Sequence, residues 1–454
     1  MKKIDKTAIG TILILALLVL GIVLAGKLMP VSLRCQLKGK PSLVGPFGFI
    51  PLEFSKPVDS KKIESLIKTE PYFPGKLIWT DNKNAKWVFL KPLAEGQAFS
   101  LSVSAGLAGQ NAEKTKNQSC SFQVRAPGII AIKAESEHSD LFLFETNPKS
   151  SPIKLTENKG QILGFSPSPD GEKIVYALTN DAQGSDLWVV NRPAKEASIL
   201  LDCNGDLCVA PAWSPALNEI AYTRQSAGLD TQGPKGAPRI WILEPETGKT
   251  YPLFTDSQEI GYGSHWSPDG SWLSVWDGSN GGIKIVNRQS FESLLMKSAS
   301  GYLGAWSKDS QKLFVADVIH NGTTYTGVIK ILDIHDPKNV VILDLPSENE
   351  DKSCDNPIPN PVNDWIALSI QPDQRKPERY LTIYNPQTKE SHFIKADPGY
   401  VQDFFSWSPQ GEYLVFQSFQ LGQKIPHYQV RVWNAKTGLS NLIAEDYRMP
   451  AWIP

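Results

Sequence analysis

From about residue 128 to the end of the chain, short apolar runs alternate with turns made of Ser, Pro, Asp and Gly. Trp266-Ser267-Pro268-Asp269-Gly270 runs into Ser271-Trp272-Leu273-Ser274-Val275-Trp276, and close variants recur. Ser168-Pro169-Asp170-Gly171 precedes Lys173-Ile174-Val175-Tyr176, and Trp213-Ser214-Pro215 precedes Glu219-Ile220-Ala221-Tyr222. Trp306-Ser307-Lys308-Asp309-Ser310 leads to Lys312-Leu313-Phe314-Val315, and Trp407-Ser408-Pro409-Gln410-Gly411 to Tyr413-Leu414-Val415-Phe416. A degenerate copy, Ile358-Pro359-Asn360-Pro361, precedes Trp365-Ile366-Ala367-Leu368, and Pro450-Ala451-Trp452-Ile453-Pro454 is a partial one. Each copy reads as a hairpin. Pro presets φ, Asp or Asn bonds the local backbone, Gly takes the positive-φ position, and the apolar run behind is a buried strand.

Aligned on the Trp position, the copies fall at 167, 213, 266, 306, 358, 407 and 452, with gaps of 46, 53, 40, 52, 49 and 45 residues. A period of roughly 40–50 residues with four short strands per unit predicts a β-propeller. Third strands are expected at Leu187–Val190, Ile240–Leu243, Ile283–Val286 and Val430–Trp433. The runs Ile129–Ile132 and Leu141–Phe144 lack an inner strand of their own. Pro450–Ile453 resembles the missing one, so the two ends of the repeat array are expected to pair and close the ring. Counting that split unit gives seven.

Ahead of the repeats, Val31–Leu37, Phe49–Phe54, Leu77–Thr80, Trp87–Leu90, Phe99–Val103 and Cys120–Val124 predict a separate small β-domain, with a helix at Lys61–Lys68. Six or seven strands in about 95 residues suit an immunoglobulin-type sandwich. Earlier still, Ala8–Ala25 is an uncharged apolar stretch of 18 residues behind Lys2, Lys3 and Lys6. Its length suits a membrane span, and the lysines favour a cytoplasmic N-terminus. A cleaved signal peptide, using the small residues Leu24-Ala25-Gly26, is the rival reading.

The expected organisation is all-β: a transmembrane anchor at 1–29, an immunoglobulin-like β-sandwich at 30–126, and a seven-bladed β-propeller at 127–454. This places the protein at the cell membrane, single-pass, with the bulk of the chain extracytoplasmic. The 454 residues, 41% hydrophobic and 20% charged, suit a folded chain, and 13 Trp, 34 Gly and 34 Pro suit many short strands and tight turns. A net charge of −1 gives no electrostatic reason to expect nucleic-acid binding, and a monomer is expected.

The repeats resemble those of the periplasmic TolB family and the related propellers of prolyl-oligopeptidase-type enzymes. The stretch from Ile50 to Asp59, with Trp79, Phe89–Leu93 and Ser100–Val103, resembles bacterial Ig-like domains of envelope proteins. Such domains imply a spacer or adhesive module. In an Ig-type sandwich the first and last strands can be neighbours, so Cys35 and Cys120 are one candidate disulfide. Cys203 and Cys208 are a second, leaving Cys354 over.

The enzymatic relatives carry an α/β-hydrolase domain with a Gly-x-Ser-x-Gly elbow, and that motif is absent here. HExxH, P-loop and GxGxxG motifs are absent too. The histidines at 138, 265, 320, 335, 392 and 427 lack metal-ligand spacing. Asp202-Cys203-Asn204-Gly205-Asp206 alternates oxygen ligands as a calcium loop does, without its sixth-position Gly or distal Glu. No cofactor or metal is expected, and the aspartates after Ser-Pro read as turn formers.

What remains is a surface. One end of the blades carries the tight turns. The other carries longer connections at Arg224–Pro238, Asp277–Gly282, Ile319–Gly327, Gln371–Glu378 and Gln417–His427. Tyr262, His265, Tyr302, Tyr400, Phe404 and Phe405 sit where inter-blade connections enter the centre, and are the candidate partner-binding residues. The expected function is non-catalytic binding of a protein or peptide at the cell envelope. The alternative is an enzyme or sensor with a small-molecule or sugar site in the central channel.

Overall fold

The computed structural model describes residues 10–19, 29–35, 42–46, 49–110, 113–145, 151–192, 196–228, 235–320, 322, 324–345, 352–374, 379–394, 399–424 and 426–454. The chain divides into two compact units, one reaching to Val124 and one running from Arg125 to Pro454, with short exchanges at 45–48 and 92–95. Of the expected anchor, residues 10–19 are helical, with 11–19 exposed, and the rest of Ala8–Ala25 lies outside the described residues. Among the described residues no helix is long and apolar enough to cross a membrane.

The first unit is two four-stranded sheets. One orders Leu33–Cys35, Phe49–Phe54, Asn84–Phe89 and Gly75–Trp79; the other orders Ser42–Val44, Gln118–Val124, Ala98–Val103 and Ile67–Glu70. Alternation decides which side faces in: Ile50, Leu52 and Phe54 are buried from one sheet, and Phe99, Leu101 and Val103 from the other. Phe73 meets Phe89 and Phe99 edge-on at 5.5 and 4.8 Å between the sheets. The expected helix is shorter than its sequence span, Ser60–Leu66, capped by the Asp59 side chain accepting from the Lys62 amide. Cys35 and Cys120 are bridged. Their strands lie in different sheets and are not paired neighbours, so the disulfide ties the two layers together.

The second unit is built from four-stranded antiparallel groups in chain order. The second comprises Ile162–Pro167, Lys173–Thr179, Ser185–Asn191 and Ala197–Leu201, and the third Leu207–Trp213, Ile220–Gln225, Arg239–Leu243 and Thr250–Pro252. One parallel pairing, Ser185 with Leu207, joins these two into a single sheet. The fourth group opens with Gly261–Trp266, the fifth with Ala305–Trp306, the sixth with Ser353–Pro359 and the seventh with Tyr400–Trp407. In the first group Gly128–Ala134, Ser139–Glu145 and Ile153–Lys154 are completed by Tyr447–Ile453, which pairs antiparallel with Gly128–Ala134. The C-terminal strand thus supplies the inner edge expected from sequence.

Successive groups pack face to face through buried aliphatic and aromatic clusters. Ile174 and Tyr176 of the second group meet Ile130 and Leu143 of the first, and Tyr222 of the third meets Ala177 and Leu187 of the second. The series continues to the seventh group, whose Val415 and Val430 pack on Ile129, Tyr447 and Trp452 of the first. That last contact makes the series a cycle. The fold is a β-propeller.

The repeated motif has two jobs. Ser168, Ser267 and Ser307 each donate their hydroxyl to the Asp two residues on, at 2.5 to 2.6 Å, and accept from the amide five residues on at 2.9 Å. The aspartates are turn formers, as read. Gly171, Gly270 and Gly411 hold φ of 66°, 70° and 69° there; at Gly171 a Cβ would meet the Pro454 carbonyl at 2.0 Å, so no other residue fits. The Trp works between groups: the indole Nε1 of Trp266, Trp306 and Trp407 donates to the carbonyls of Ala212, His265 and Ile358 in the preceding inner strand, at 3.0, 3.2 and 2.9 Å. Each acceptor lies one residue before its own motif's Trp position. The sixth copy therefore aligns on Pro359, one residue later than Ile358, and Asn360 takes the serine's place with its amide donating to the Gly411 carbonyl at 2.9 Å.

Candidate functional site

Away from the tight turns, the inner strands are bulged. Ala210, Gly263, Asn356, Phe404 and Met449, each three residues before the motif's Trp position, have φ between 50° and 64°. The bulge interrupts simple alternation, so neighbours along the strand point unpredictably. At Asp403–Ser406 it turns Phe404 outward, 41% exposed, and sends Phe405 into the core against Leu381, Ile394 and Trp407. Phe405 is a packing residue, and its expected place on the surface is corrected. Tyr262 is half exposed at the start of its strand, and Tyr400 is partly buried at the start of its own.

His265 lies on the fourth group's inner strand and reaches the fifth. Its Nδ1 is 2.7 Å from the Gly304 carbonyl, and since a carbonyl only accepts, Nδ1 carries the proton. The residue is exposed, and desolvation by the surrounding protein atoms lowers its pKa against the opposing pull of the Gly304 bond. That shift favours the neutral imidazole, with Nε2 as an acceptor.

The fifth group departs most from the repeat. Lys312–His320 and Tyr325–Asp333 are nine residues each, the longest strands of the propeller. The connection expected at Ile319–Gly327 is therefore mostly strand, with only 321–324 between. Asp277–Gly282 is likewise a tight turn, because Asp277 pairs with Gly282 and its carboxylate caps the Asn280 amide.

Where this hairpin overhangs the sixth group it walls a cavity of about 300 Å³. Tyr302, Val318 and Tyr325 lie on the fifth-group side, with Cys354, Asp355 and Arg379 on the sixth. Of the six candidate aromatic and histidine positions, Tyr302 alone lines it. Asp317 sits in its floor, almost inaccessible, accepting from the Ser298 hydroxyl at 3.0 Å, the Ala299 amide at 2.8 Å, the Ser300 amide at 3.2 Å and Lys330 Nζ at 2.6 Å. Burial alone would raise its carboxyl, but Lys330 and the Val318 and Ala299 amides outweigh that and hold the pKa below its ordinary value. The same bonds fix the loop that delivers Tyr302 to the rim. Burial pushes the Cys354 thiol up to about 11, so it stays protonated and donates to the Gly327 carbonyl.

Arg379 forms an ion pair with Asp355. Behind them Asp403 accepts from Asn356 Nδ2 at 3.1 Å and from the Phe404 amide at 2.7 Å. Burial raises the Asp403 carboxyl above its ordinary value, while Phe404 and the Arg379 charge pull it back. Sequence reading missed Asp317, Asp355, Arg379 and Asp403. Asp317 comes from the fifth group, Asp355 and Arg379 from the sixth and Asp403 from the seventh, and only the fold gathers them.

The second expected disulfide, Cys203–Cys208, is formed, and Cys354 is free. In the loop it closes, Asp206 gives its oxygens to Arg224 Nε at 2.7 Å and the Ala227 amide at 2.9 Å. Those bonds leave little of a calcium site. Among the described residues no cluster of His, Cys, Asp and Glu has metal-holding geometry.

No family model matches the chain. No curated protein matches it. Among solved structures, TolB from Acinetobacter baumannii is similar over 87% of this chain and 86% of that one, at 14% identity and a TM-score of 0.44. An oligogalacturonate lyase in complex with manganese is similar over 64% of this chain and 75% of its own, at 12% identity and a TM-score of 0.42. A prolyl endopeptidase is similar over 79% of this chain and 49% of its own, at 13% identity and a TM-score of 0.48.

Proposed function

We propose that the chain is a seven-bladed, TolB-like propeller carried on an Ig-like spacer and an N-terminal membrane segment, and that it binds a protein or peptide at the cell envelope without catalysis. Seven blades are supported by seven inter-group clusters that run round to the first group. An extracytoplasmic location is supported by two disulfides, which persist in oxidising compartments. The membrane segment is supported by the exposed apolar residues from Ile12 to Val19.

The observation that carries the binding reading is the cavity under the fifth group's hairpin, with Tyr302 and Tyr325 standing half or more exposed at its rim. Exposed aromatic side chains beside a preformed recess are the usual anchors of an interface. A photo-crosslinking residue at Tyr302 of the full-length protein, activated in native envelopes, should give a discrete adduct. The same residue at Lys173, beside the tight turns, should give none. Equal adducts from both positions, or none from either, would remove the reading.

A catalytic reading draws on one observation: the carboxyls of Asp355 and Asp403 both lie near Arg379, with that of Asp403 raised. Arg379 already engages Asp355 and so leaves no free acid–base pair. We favour binding.

A further inference from the structure

The rim and walls of the cavity carry a definite chemistry. On or directly behind them, among the described residues, stand the carboxylates Asp317, Asp355 and Asp403 and the cations Arg379, Lys330 and Lys352. Asp317 is fully occupied by four donors. Asp355 is engaged at Oδ2 by Arg379, and Gln374, whose amide nitrogen donates to Thr326 Oγ1 at 3.1 Å, keeps its carbonyl oxygen as an acceptor. Lys352 is no part of the lining and gives its ammonium to the Leu345 carbonyl. The lining itself holds two carboxylates, Asp317 and Asp355, against one cation, Arg379, and behind it Lys330 and Lys352 stand against Asp403. Two tyrosine rings flank the entrance, and rings of this kind attract cations through their faces. About 300 Å³ admits a single long side chain and excludes a folded element.

We propose that this cavity takes one basic side chain, lysine or arginine, of a bound peptide, with Asp355 as its counter-charge and Tyr302 and Tyr325 along its stem. The proposal rests on the reading of this face as a peptide-binding one. Arg379 then acts as a resident competitor for Asp355, which gives the proposal a sign that no structural role shares.

The test uses the full-length protein in lipid nanodiscs and three capped pentapeptides, four glycines around a central lysine, norleucine or glutamate, titrated by calorimetry. The lysine peptide should bind at least about tenfold more tightly than the other two. Asp355→Asn should abolish the preference, Tyr302→Ala should weaken it, and Arg379→Gln should raise lysine-peptide affinity by about threefold or more. Equal binding of lysine and norleucine peptides would overturn the proposal, as would binding of none. A glutamate preference lost in Arg379→Gln would overturn it in favour of a carboxylate site. Thermal unfolding of each variant separates misfolding from lost recognition, and Tyr302→Ala leaves every charge in place. Crosslinking in envelopes is scored separately: adducts without lysine selectivity sink this proposal alone, and selectivity without adducts sinks only the partner reading.

Discussion

The two ends of the propeller blades are made from the same repeats and have opposite character. At the tight-turn end, three copies share the bond of serine to aspartate, four that of serine to a strand amide, and three that of indole to the preceding carbonyl. At the other end the repeat stops dictating. The fifth group extends its hairpin, and charges from the fifth, sixth and seventh groups collect beside it. Repetition closes the ring, and departures from it create the recess. The difference teaches where to look in such a chain, namely at the repeat that breaks its own pattern.

The comparison can be broken most severely at the closure. Deleting Met449–Pro454 removes the first group's inner strand, the Trp452 contacts with Val415 and Val430, and the Arg192 bond to the Pro454 carbonyl at 2.7 Å. A loss of roughly 3 kcal/mol or more and aggregation are expected, since burying one large apolar side chain is worth about 2–3 kcal/mol. Thermal unfolding unchanged by the deletion would mean that the ring closes otherwise.

At the recess end the largest expected effect belongs to Asp317→Asn, about 3 kcal/mol, because Lys330 would lose its buried partner. The pH dependence follows from the depressed carboxyl. Its contribution is complete above the ordinary value of 3.8 and is lost as pH falls through the lower folded value. Denaturant titrations of wild type and variant should therefore differ fully above pH 3.8 and approach one another as pH falls through the lower folded value.

The indole bonds allow a finer contrast. Trp407→Phe removes the indole's bond to the Ile358 carbonyl, whereas the Trp452 Nε1 is already buried without a partner. Trp407→Phe should cost about 1 kcal/mol more than Trp452→Phe, measured by chemical unfolding. The smallest effect is expected at Phe404, where a bulky residue holds φ of 52° with its side chain exposed. Phe404→Gly should stabilise the ring by about 1 kcal/mol while weakening partner capture, because strain of this kind costs stability and is kept where function uses it.

Much of this architecture is legible in the residues. The Ser-Pro-Asp-Gly turns, the apolar runs and the final Pro450–Ile453 announce the repeat and its closure, since each is local chemistry. The two cysteine pairings were legible too, although the sheet-to-sheet path of Cys35–Cys120 was not. Misreading began where backbone left the regular strand. The bulge before Trp407 sends Phe405 inward and Phe404 outward, which period-two alternation cannot reveal. Ile319 and Tyr325 looked like loop residues because Asn321-Gly322 reads as a turn, while the strands around it run almost to its edge. The recess was invisible for another reason. Asp317, Asp355, Arg379 and Asp403 are 86 residues apart at their extremes, and nothing in any one repeat marks its charge as a member of a group.

The central claim, that a partner is bound at the recess end and not at the tight-turn end, is tested most directly by the dissociation constant of the captured partner across substitutions on both. Tyr302→Ala combined with Tyr325→Ala should weaken binding at least about tenfold, or 1.4 kcal/mol, in a protein whose unfolding shows an intact ring. Lys173→Ala and Lys312→Ala, both exposed beside the tight turns, should leave it unchanged. Loss of binding in the lysine variants, with none in the aromatic pair, would contradict the account.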